Sequence, residues 1–301
     1  MEIVRKIDIH AHAVPDTTIF PRHKATGLPF LSPEQLISRY DELGIEKGVL
    51  LGGVSPDACW ILLTSENNKL MADRYPDRLD WFCSIDPRMG EHSANADLGW
   101  LIDHYKSLGA KGVGEITANL YADDPMMDNL FACCAEYDMP VIIHISPALG
   151  FEYGIADDAG LPRIEKMLKK HKKLRLIGHS QPFWGEISER NPGDDRNCYP
   201  KGKVKEGALA RLLRDYENLY CDLSAGSGSN AMMRDREYAA SFLTEFADRI
   251  YYGCDMCAIN QTFPFPFRDF LEELRTSGSI SEAVYRKVCR ENAAKLLGME
   301  K

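Results

Sequence analysis

The chain has 301 residues, of which 45% are hydrophobic and 27% are charged, a composition typical of a globular protein that buries a large core. Its formal net charge of −9 at pH 7 argues against nucleic acid or an anionic membrane as a partner, because both bind basic surfaces. No apolar stretch approaches the length of a membrane span.

Short apolar runs alternate with amphipathic segments along the whole chain. We interpret the apolar runs as buried parallel strands, over residues 4–10, 48–53, 80–85, 112–116, 141–145, 174–179, 219–223 and 250–255. Helix-like stretches cover residues 33–43, 65–75, 94–108, 125–137, 162–171, 206–216, 237–247, 267–277 and 281–297. Eight strands that alternate with helices predict an α/β fold, a (β/α)8 barrel that forms one domain over residues 1–301.

Side chains of metal-binding type stand at the carboxyl ends of four of these runs. His10 and His12 form an H-x-H pair, and residues two apart in an extended segment project from the same face, so that one ion can meet both. His144, His179 and Asp255 each end another run. A doubly wound open sheet, the main alternative fold, normally binds at one switch point. These candidates run from the first strand to the eighth, which favours a closed barrel with its metal site at the carboxyl ends of the strands.

Glu115 is a further metal-ligand candidate. It stands at the end of the fourth run, where its carboxylate would be able to bridge two ions. It would equally be able to accept hydrogen bonds from a neighbour, and both interpretations stay open.

The ligand types indicate the chemistry of the site. Imidazole and carboxylate suit Zn²⁺ first, with Mn²⁺, Fe²⁺ or Ni²⁺ as alternatives, and one or two ions are compatible with the sequence. An open site of this kind would lower the pKa of a bound water to about 7. Asp255 would take a proton from that water and later deliver it to a leaving group. His179 would be either a second-ion ligand or a free acid that stabilises a developing oxyanion.

A long connection over residues 180–205 follows His179 directly. Long loops in compact domains are usually functional or disordered. We interpret this one as a lid or specificity loop in which Trp184 shields the site and Arg190 or Lys201 pairs with a substrate carboxylate. An insertion without a role in binding is the alternative.

A second connection, over residues 222–230, is rich in Gly and Ser. Its small residues would let backbone N–H groups approach a substrate anion, and Asn230 at its end is a further substrate-binding candidate. A plain Gly/Ser turn is the alternative interpretation.

The ordered set of ligand candidates resembles the amidohydrolase superfamily of metal-dependent TIM barrels, over essentially the whole chain. The likeness is closest to the branch that includes the aminocarboxymuconate-semialdehyde decarboxylase. The resemblance makes His10 and His12 the family's first-strand pair and His144 its fifth-strand ligand, with His179 and Asp255 as the sixth-strand histidine and eighth-strand aspartate. Members hydrolyse amides, esters and lactones, whereas the decarboxylase branch uses one zinc ion and removes carboxylate without net hydrolysis.

Glu115 decides which reaction the sequence favours. A fourth-strand glutamate resembles the bridging ligand of some hydrolytic members, and the mononuclear decarboxylases manage without one. We therefore expect a metal-dependent hydrolase acting on a small polar amide, ester or lactone. The first alternative is a zinc-dependent decarboxylase or hydratase acting on a small unsaturated or aromatic carboxylic acid. The second is a non-catalytic metal-binding protein, against which an open coordination position argues.

The sequence also gives expectations about the binding partners of the protein and its location in the cell. The expected partner is a small anionic substrate, and exposed loop aromatics are compatible with a homodimer. The nine cysteines are odd in number and the chain is too apolar to need disulfides, so we interpret them as reduced thiols. The first candidate ligands lie within the first twelve residues, which leaves no room for a cleaved signal peptide. A cytoplasmic location is the resulting expectation.

Overall fold

Strands and helices alternate along the chain in the computed structural model, which describes residues 3–24, 26–57, 60–151, 153–191 and 193–299. The strands are β1 Lys6–Ala11, β2 Ile45–Leu50, β3 Leu79–Trp81, β4 Val113–Ile116, β5 Val141–Ser146, β6 Ile155–Ala156, β7 Leu176–His179, β8 Leu219–Asp222 and β9 Ile250–Tyr251. The α-helices are α1 Pro33–Leu43, α2 Ser65–Arg74, α3 Leu98–Ser107, α4 Pro125–Glu136, α5 Pro162–Lys170, α6 Gln181–Gly185, α7 Ala208–Asp215, α8 Ala225–Met233, α9 Arg236–Glu245, α10 Pro264–Thr276, α11 Glu282–Arg286 and α12 Asn292–Leu297. A 3₁₀ turn covers Ala247–Arg249, and a π-helical stretch, Lys287–Glu291, joins α11 to α12.

Parallel pairing joins β1, β2 and β3 into one sheet, and β4, β5, β7, β8 and β9 into another. Backbone hydrogen bonds connect the two sheets at both edges. Between β3 and β4, Cys83 N–H donates to the Gly112 carbonyl at 2.9 Å. Between β1 and β9, Ile9 N–H donates to the Tyr252 carbonyl at 3.2 Å. Eight strands therefore close into a barrel, and the short β6 pairs with β5, so the predicted (β/α)8 fold is confirmed.

The apolar residues of the strands alternate between two buried clusters. One cluster fills the barrel and includes Ile9, Val49, Ile142 and Ile177, against which Leu297 of α12 also packs. The other lies between the strands and the surrounding helices. Strands that bury both faces have continuous apolar sequences, and this pattern allowed the strands to be predicted from the sequence.

Helix α8 corrects a sequence expectation. Residues 222–230 were expected to be a loop or turn, but β8 ends at Asp222 and α8 begins at Ala225, so the loop interpretation is wrong. A Cβ atom at Gly228 would lie 2.3 Å from the Leu223 carbonyl oxygen. The close approach of this helix to β8 requires small residues, and tertiary packing overrides their low helix propensity.

Two further observations concern the chain as a whole. The eight cysteines within the described residues are all free thiols, and Cys59 lies outside those residues. None of the described helices has the length and apolar character needed to cross a membrane.

Candidate metal centre

The six metal-ligand candidates converge at the carboxyl ends of the barrel strands. His10 lies on β1 with His12 just beyond it, and Glu115 lies on β4. His144 and His179 are paired neighbours in the ladder between β5 and β7. Asp255 follows β9 by a few residues. Donor atoms of these six side chains form three overlapping groups in which all atoms lie within 4.8 Å of one another.

The first half of the centre is formed by two imidazoles and two carboxylate oxygens. His10 Nε2 lies 3.1 Å from His12 Nε2. Glu115 Oε2 lies 3.7 Å from both of these nitrogens. Asp255 Oδ1 lies 3.6 Å from His10 Nε2 and 3.3 Å from His12 Nε2. Donors that share one tetrahedral zinc at about 2.0–2.1 Å lie roughly 3.3–3.4 Å apart, so this spacing fits a metal ion.

Hydrogen bonds on the far side of each ring orient these two imidazoles. His10 Nδ1 lies 2.6 Å from Asp222 Oδ2, and His12 Nδ1 lies 3.0 Å from the Leu51 carbonyl oxygen. In neutral rings both Nδ1 atoms then carry the hydrogen and both Nε2 atoms present lone pairs. Two lone pairs that face each other at 3.1 Å are stabilised by a positive charge between them, which a metal ion or a second proton on His10 would supply.

The second half of the centre uses the other oxygens of the same two carboxylates. Glu115 Oε1 lies 2.8 Å from His144 Nδ1. Asp255 Oδ2 lies 3.8 Å from His179 Nε2. Each carboxylate thus directs one oxygen toward the His10–His12 pair and the other toward the His144–His179 pair. This arrangement suits Glu115 as a bridging ligand, and it gives Asp255 one oxygen for an ion and a second for a water molecule.

The electrostatics of the centre favour positive charge. Burial lowers the pKa of His10, but Asp255, Asp222 and Glu115 outweigh it and raise that pKa well above its usual value. Burial would raise the pKa of Glu115, but the neighbouring imidazoles of His10 and His144 hold it well below its usual range. The pKa of Asp255 is likewise lowered, because His10 and His12 outweigh the effect of burial. Ionised carboxylates around buried imidazoles attract a metal ion as they attract a proton.

The backbone around Asp255 is shaped for this position. Asp255 has a left-handed φ of 50°, a conformation that Asp tolerates better than most residues. Its amide N–H donates to the His10 carbonyl at 2.7 Å, which ties the turn to β1. A Cβ atom on Gly253 would lie 2.5 Å from Asp222 Oδ1, so only glycine lets this turn pass so close to β8.

Asp222 is a functional candidate that the sequence interpretation missed. Besides His10, its Oδ2 atom lies 3.2 Å from His179 Nδ1 and accepts a hydrogen bond from Ser224 Oγ at 2.7 Å. Burial would raise the pKa of Asp222, but His10 and His179 hold it well below its usual range. The available signal was its position, because an acidic residue ends a buried strand just as His144 and His179 do.

The side chains of the centre differ in their exposure to solvent. His10, Glu115, His144 and His179 are buried, whereas the side chains of His12 and Asp255 are 19% and 27% exposed. Tyr153, from the connection after β5, lies with its ring centroid 4.3 Å from that of His144. The solvent-facing part of the centre is therefore formed by His12 and Asp255.

The predicted substrate-binding residues make their described contacts with parts of the chain other than the six candidate ligands. Trp184 is 2% exposed, and its Nε1 donates to the Asp222 carbonyl at 2.8 Å, so it supports the strand beneath the centre. Asn230 Nδ2 donates to the Pro200 carbonyl at 3.1 Å. Arg190 and Lys201 line a cavity of about 470 Å³ whose lining includes none of the six ligands. Substrate binding by these residues stays a prediction.

The chain matches the model of one known protein family over nearly its whole length. The family model described as amidohydrolase matches residues 7–299. Comparison of the sequence with curated proteins finds no significant match.

Solved structures with a similar fold cover nearly the whole chain. An uncharacterised TIM-barrel protein from Bordetella bronchiseptica has a TM-score of 0.67 at 16% identity, covering 97% of this chain and 98% of that one. A 2,6-dihydroxybenzoate decarboxylase from Rhizobium has a TM-score of 0.61 at 18% identity, covering 99% and 100%. A probable 2-pyrone-4,6-dicarboxylic acid hydrolase from Acinetobacter baumannii has a TM-score of 0.59 at 15% identity, covering 98% and 99%.

Proposed function

This chain belongs to the amidohydrolase family, and we propose that it is a metal-dependent hydrolase that cleaves a small, anionic amide, ester or lactone. The observation that carries the proposal is the division of two carboxylates between two histidine pairs. Glu115 and Asp255 each direct one oxygen toward His10 and His12 and the other toward His144 or His179. This donor set fits two divalent ions, for which zinc is the first candidate.

Divalent ions at this centre would supply Lewis acidity toward the substrate carbonyl and lower the pKa of a water molecule. The residues of the chain supply the remaining functions. Asp255 is the solvent-facing carboxylate of the centre, and it accepts the proton of the attacking water. It then delivers that proton to the departing oxygen or nitrogen.

His179 acts beside Asp255. Its Nδ1 is held by Ser224 and Asp222, and its Nε2 lies 3.8 Å from Asp255 Oδ2. This orientation directs Nε2 into the centre, where it either holds an ion through its lone pair or, when the ring carries a second proton, donates to the developing oxyanion. Both roles use the same ring nitrogen.

A specific observation favours a second candidate function. The contact of 2.8 Å between His144 Nδ1 and Glu115 Oε1 satisfies both groups without an ion. In that arrangement only the His10–His12 half holds a metal. A one-ion centre fits a lyase that removes a carboxylate from an unsaturated or aromatic acid, the class to which the Rhizobium protein belongs by name.

The two functions differ in their products. Zinc-loaded protein is assayed with a lactone dicarboxylate, a set of anionic amides and esters, and hydroxylated benzoates, in water enriched in oxygen-18. We expect one labelled oxygen in the carboxylic product from a substrate of the first two classes, and no release of carbon dioxide. The Asp255→Asn variant should lose about 10²–10⁴-fold in kcat. Release of carbon dioxide without oxygen incorporation would instead establish the lyase.

We also propose a cellular location and an oligomeric state for the protein. Free thiols at every described cysteine fit the proposed cytoplasmic location. A homodimer is proposed because exposed aromatics such as Trp60, Phe151 and Tyr199 lie on the connecting loops.

A further inference from the structure

Behind the metal centre lies a fully buried carboxylate, that of Asp8 on β1. Its Oδ1 atom accepts two backbone hydrogen bonds, from His10 N–H at 2.9 Å and from Cys254 N–H at 2.8 Å. Its Oδ2 atom accepts a hydrogen bond from the Tyr40 hydroxyl of α1 at 2.8 Å. Asp8, His10, Tyr40 and Cys254 all have 0% exposure. None of these contacts involves a donor atom of the six ligands.

The two amides that Asp8 holds belong to the two segments that carry metal ligands. His10 is itself a ligand, and Cys254 immediately precedes the ligand Asp255. The pairing of β1 with β2 shifts register between Asp8 and Ala11, so the backbone of β1 is irregular at this point. One carboxylate oxygen supplies the acceptor that fixes both segments where regular pairing is interrupted.

The turn that carries Asp255 is held at two successive amides. Asp8 binds Cys254 N–H, and the His10 carbonyl accepts from Asp255 N–H at 2.7 Å. His10 is likewise fixed at three points, which are its amide, its carbonyl and its ring Nδ1. Asp8 therefore holds the residue before Asp255 at the same point where the direct bond to the His10 carbonyl holds Asp255, which has a left-handed φ of 50°.

We propose that Asp8 is a positioning residue of the metal centre, which sets the separation between the His10 and Asp255 ligands through their backbone amides. This inference rests on the proposed metal centre. It assigns to Asp8 an effect on metal affinity and ligand geometry in addition to any effect on folding. An acceptor oxygen is what the role requires, so an asparagine that keeps Oδ1 in place should preserve it.

The test compares three variants by metal binding and by the stability of the metal-free protein. Asp8→Ala removes the acceptor, Asp8→Asn keeps it, and Tyr40→Phe disturbs the same buried group without touching the two amides. For each, the zinc dissociation constant is measured by competition with a chromophoric chelator. The visible spectrum of the cobalt(II)-loaded protein reports ligand geometry, and the Tm of the metal-free protein reports folding.

We expect Asp8→Ala to weaken zinc binding by about 10–100-fold and to change the cobalt spectrum, as removal of groups that orient ligands generally does. In Asp8→Asn, the zinc affinity and the cobalt spectrum should both be close to those of the wild type. Tyr40→Phe should lower the metal-free Tm while leaving affinity and spectrum as in the wild type. If Asp8→Ala does not fold, Asp8→Ser takes its place with the same expectation, because its shorter side chain cannot reach both amides.

Two results would overturn the inference. If Asp8→Ala or Asp8→Ser lowers only the Tm and binds zinc like the wild type, Asp8 is structural and the metal centre itself is unaffected. If the wild-type protein does not bind zinc, or His10→Ala retains as much zinc as the wild type, the metal centre is wrong and the role of Asp8 falls with it.

Discussion

One carboxylate orients two of the histidines in the centre. Asp222 contacts His10 Nδ1 at 2.6 Å and His179 Nδ1 at 3.2 Å, and Ser224 donates to the same oxygen. Its low pKa keeps it ionised, so it accepts hydrogen bonds and does not compete for a proton. Fixing Nδ1–H in both rings leaves both Nε2 atoms free to act as ligands or acceptors.

The Asp222→Asn substitution tests this role. An amide is neutral, and if its oxygen faces the two rings its N–H group faces the Ser224 amide, which donates to Asp222 Oδ1 at 2.9 Å in the wild type. The substitution therefore weakens the acceptor for the rings or places two donors against each other. We expect zinc affinity to fall by about 10–100-fold, measured by competition with a chromophoric chelator.

Asp157→Asn is the matched control. Asp157 is also buried, and it accepts the amides of Arg163 and Ile164 at the start of α5. Its substitution should change thermal stability but not zinc affinity. Equal zinc affinity in the Asp222 variant and the wild type would show that the two rings are oriented without it.

At this scale the sequence predicted which side chains meet but not what holds them. His10, His12, His144 and Asp255 were identifiable because histidine and aspartate at the ends of apolar runs have few other uses. The roles of Asp222 and Asp8 depend on partners more than two hundred residues away in the chain, such as His10 and Cys254. No local pattern carries that information.

Among the elements, the junction between β7 and α6 places His179. Gly178 precedes it, and a Cβ atom at Gly178 would lie 2.0 Å from the Phe183 ring. Phe183 belongs to α6 and is completely buried. The helix can therefore fold back onto the strand only because residue 178 has no side chain.

We expect Gly178→Ala to destabilise the protein by about 1–3 kcal/mol, because the added methyl group overpacks this contact. The measurement is the free energy of unfolding in urea. The double variant Gly178→Ala/Phe183→Leu should lose less free energy of unfolding than the sum of the losses in the two single variants, since the smaller Leu side chain makes room for the methyl group. Strictly additive effects would mean that the two positions do not press on each other.

Some helices were predictable from the sequence and others were not. Helix α1 was predicted over its observed range, because Ser32 caps it, Pro33 opens it and Gly44 ends it in a left-handed conformation. Helix α8 was missed because its Gly and Ser residues have low helix propensity and favour turns in isolation, whereas in the fold the helix packs with Gly228 against the Leu223 backbone. The predicted last helix is interrupted by the π-helical stretch Lys287–Glu291, where Tyr252 N–H donates to the Val288 carbonyl.

In the whole molecule, closure of the barrel creates the centre. Candidate ligands on β1, β4, β5 and β7 and beyond β9 come together because backbone hydrogen bonds join β9 to β1 and β3 to β4. The sequence predicted this convergence from the spread of candidates over the first to the eighth strand. It did not predict which carboxylate oxygen faces which histidine, because that division depends on side-chain orientation inside the closed barrel.

The division of Glu115 and Asp255 between two histidine pairs is the central claim, and the number of metal ions per chain tests it most directly. Zinc is counted by elemental analysis in fully loaded wild-type protein and in Glu115→Gln, with circular dichroism to confirm that both are folded. We predict about two ions per chain in the wild type and about one in the variant, because a neutral amide cannot hold paired cations together. One ion per chain in both proteins would contradict the two-ion hydrolase and leave the one-ion lyase.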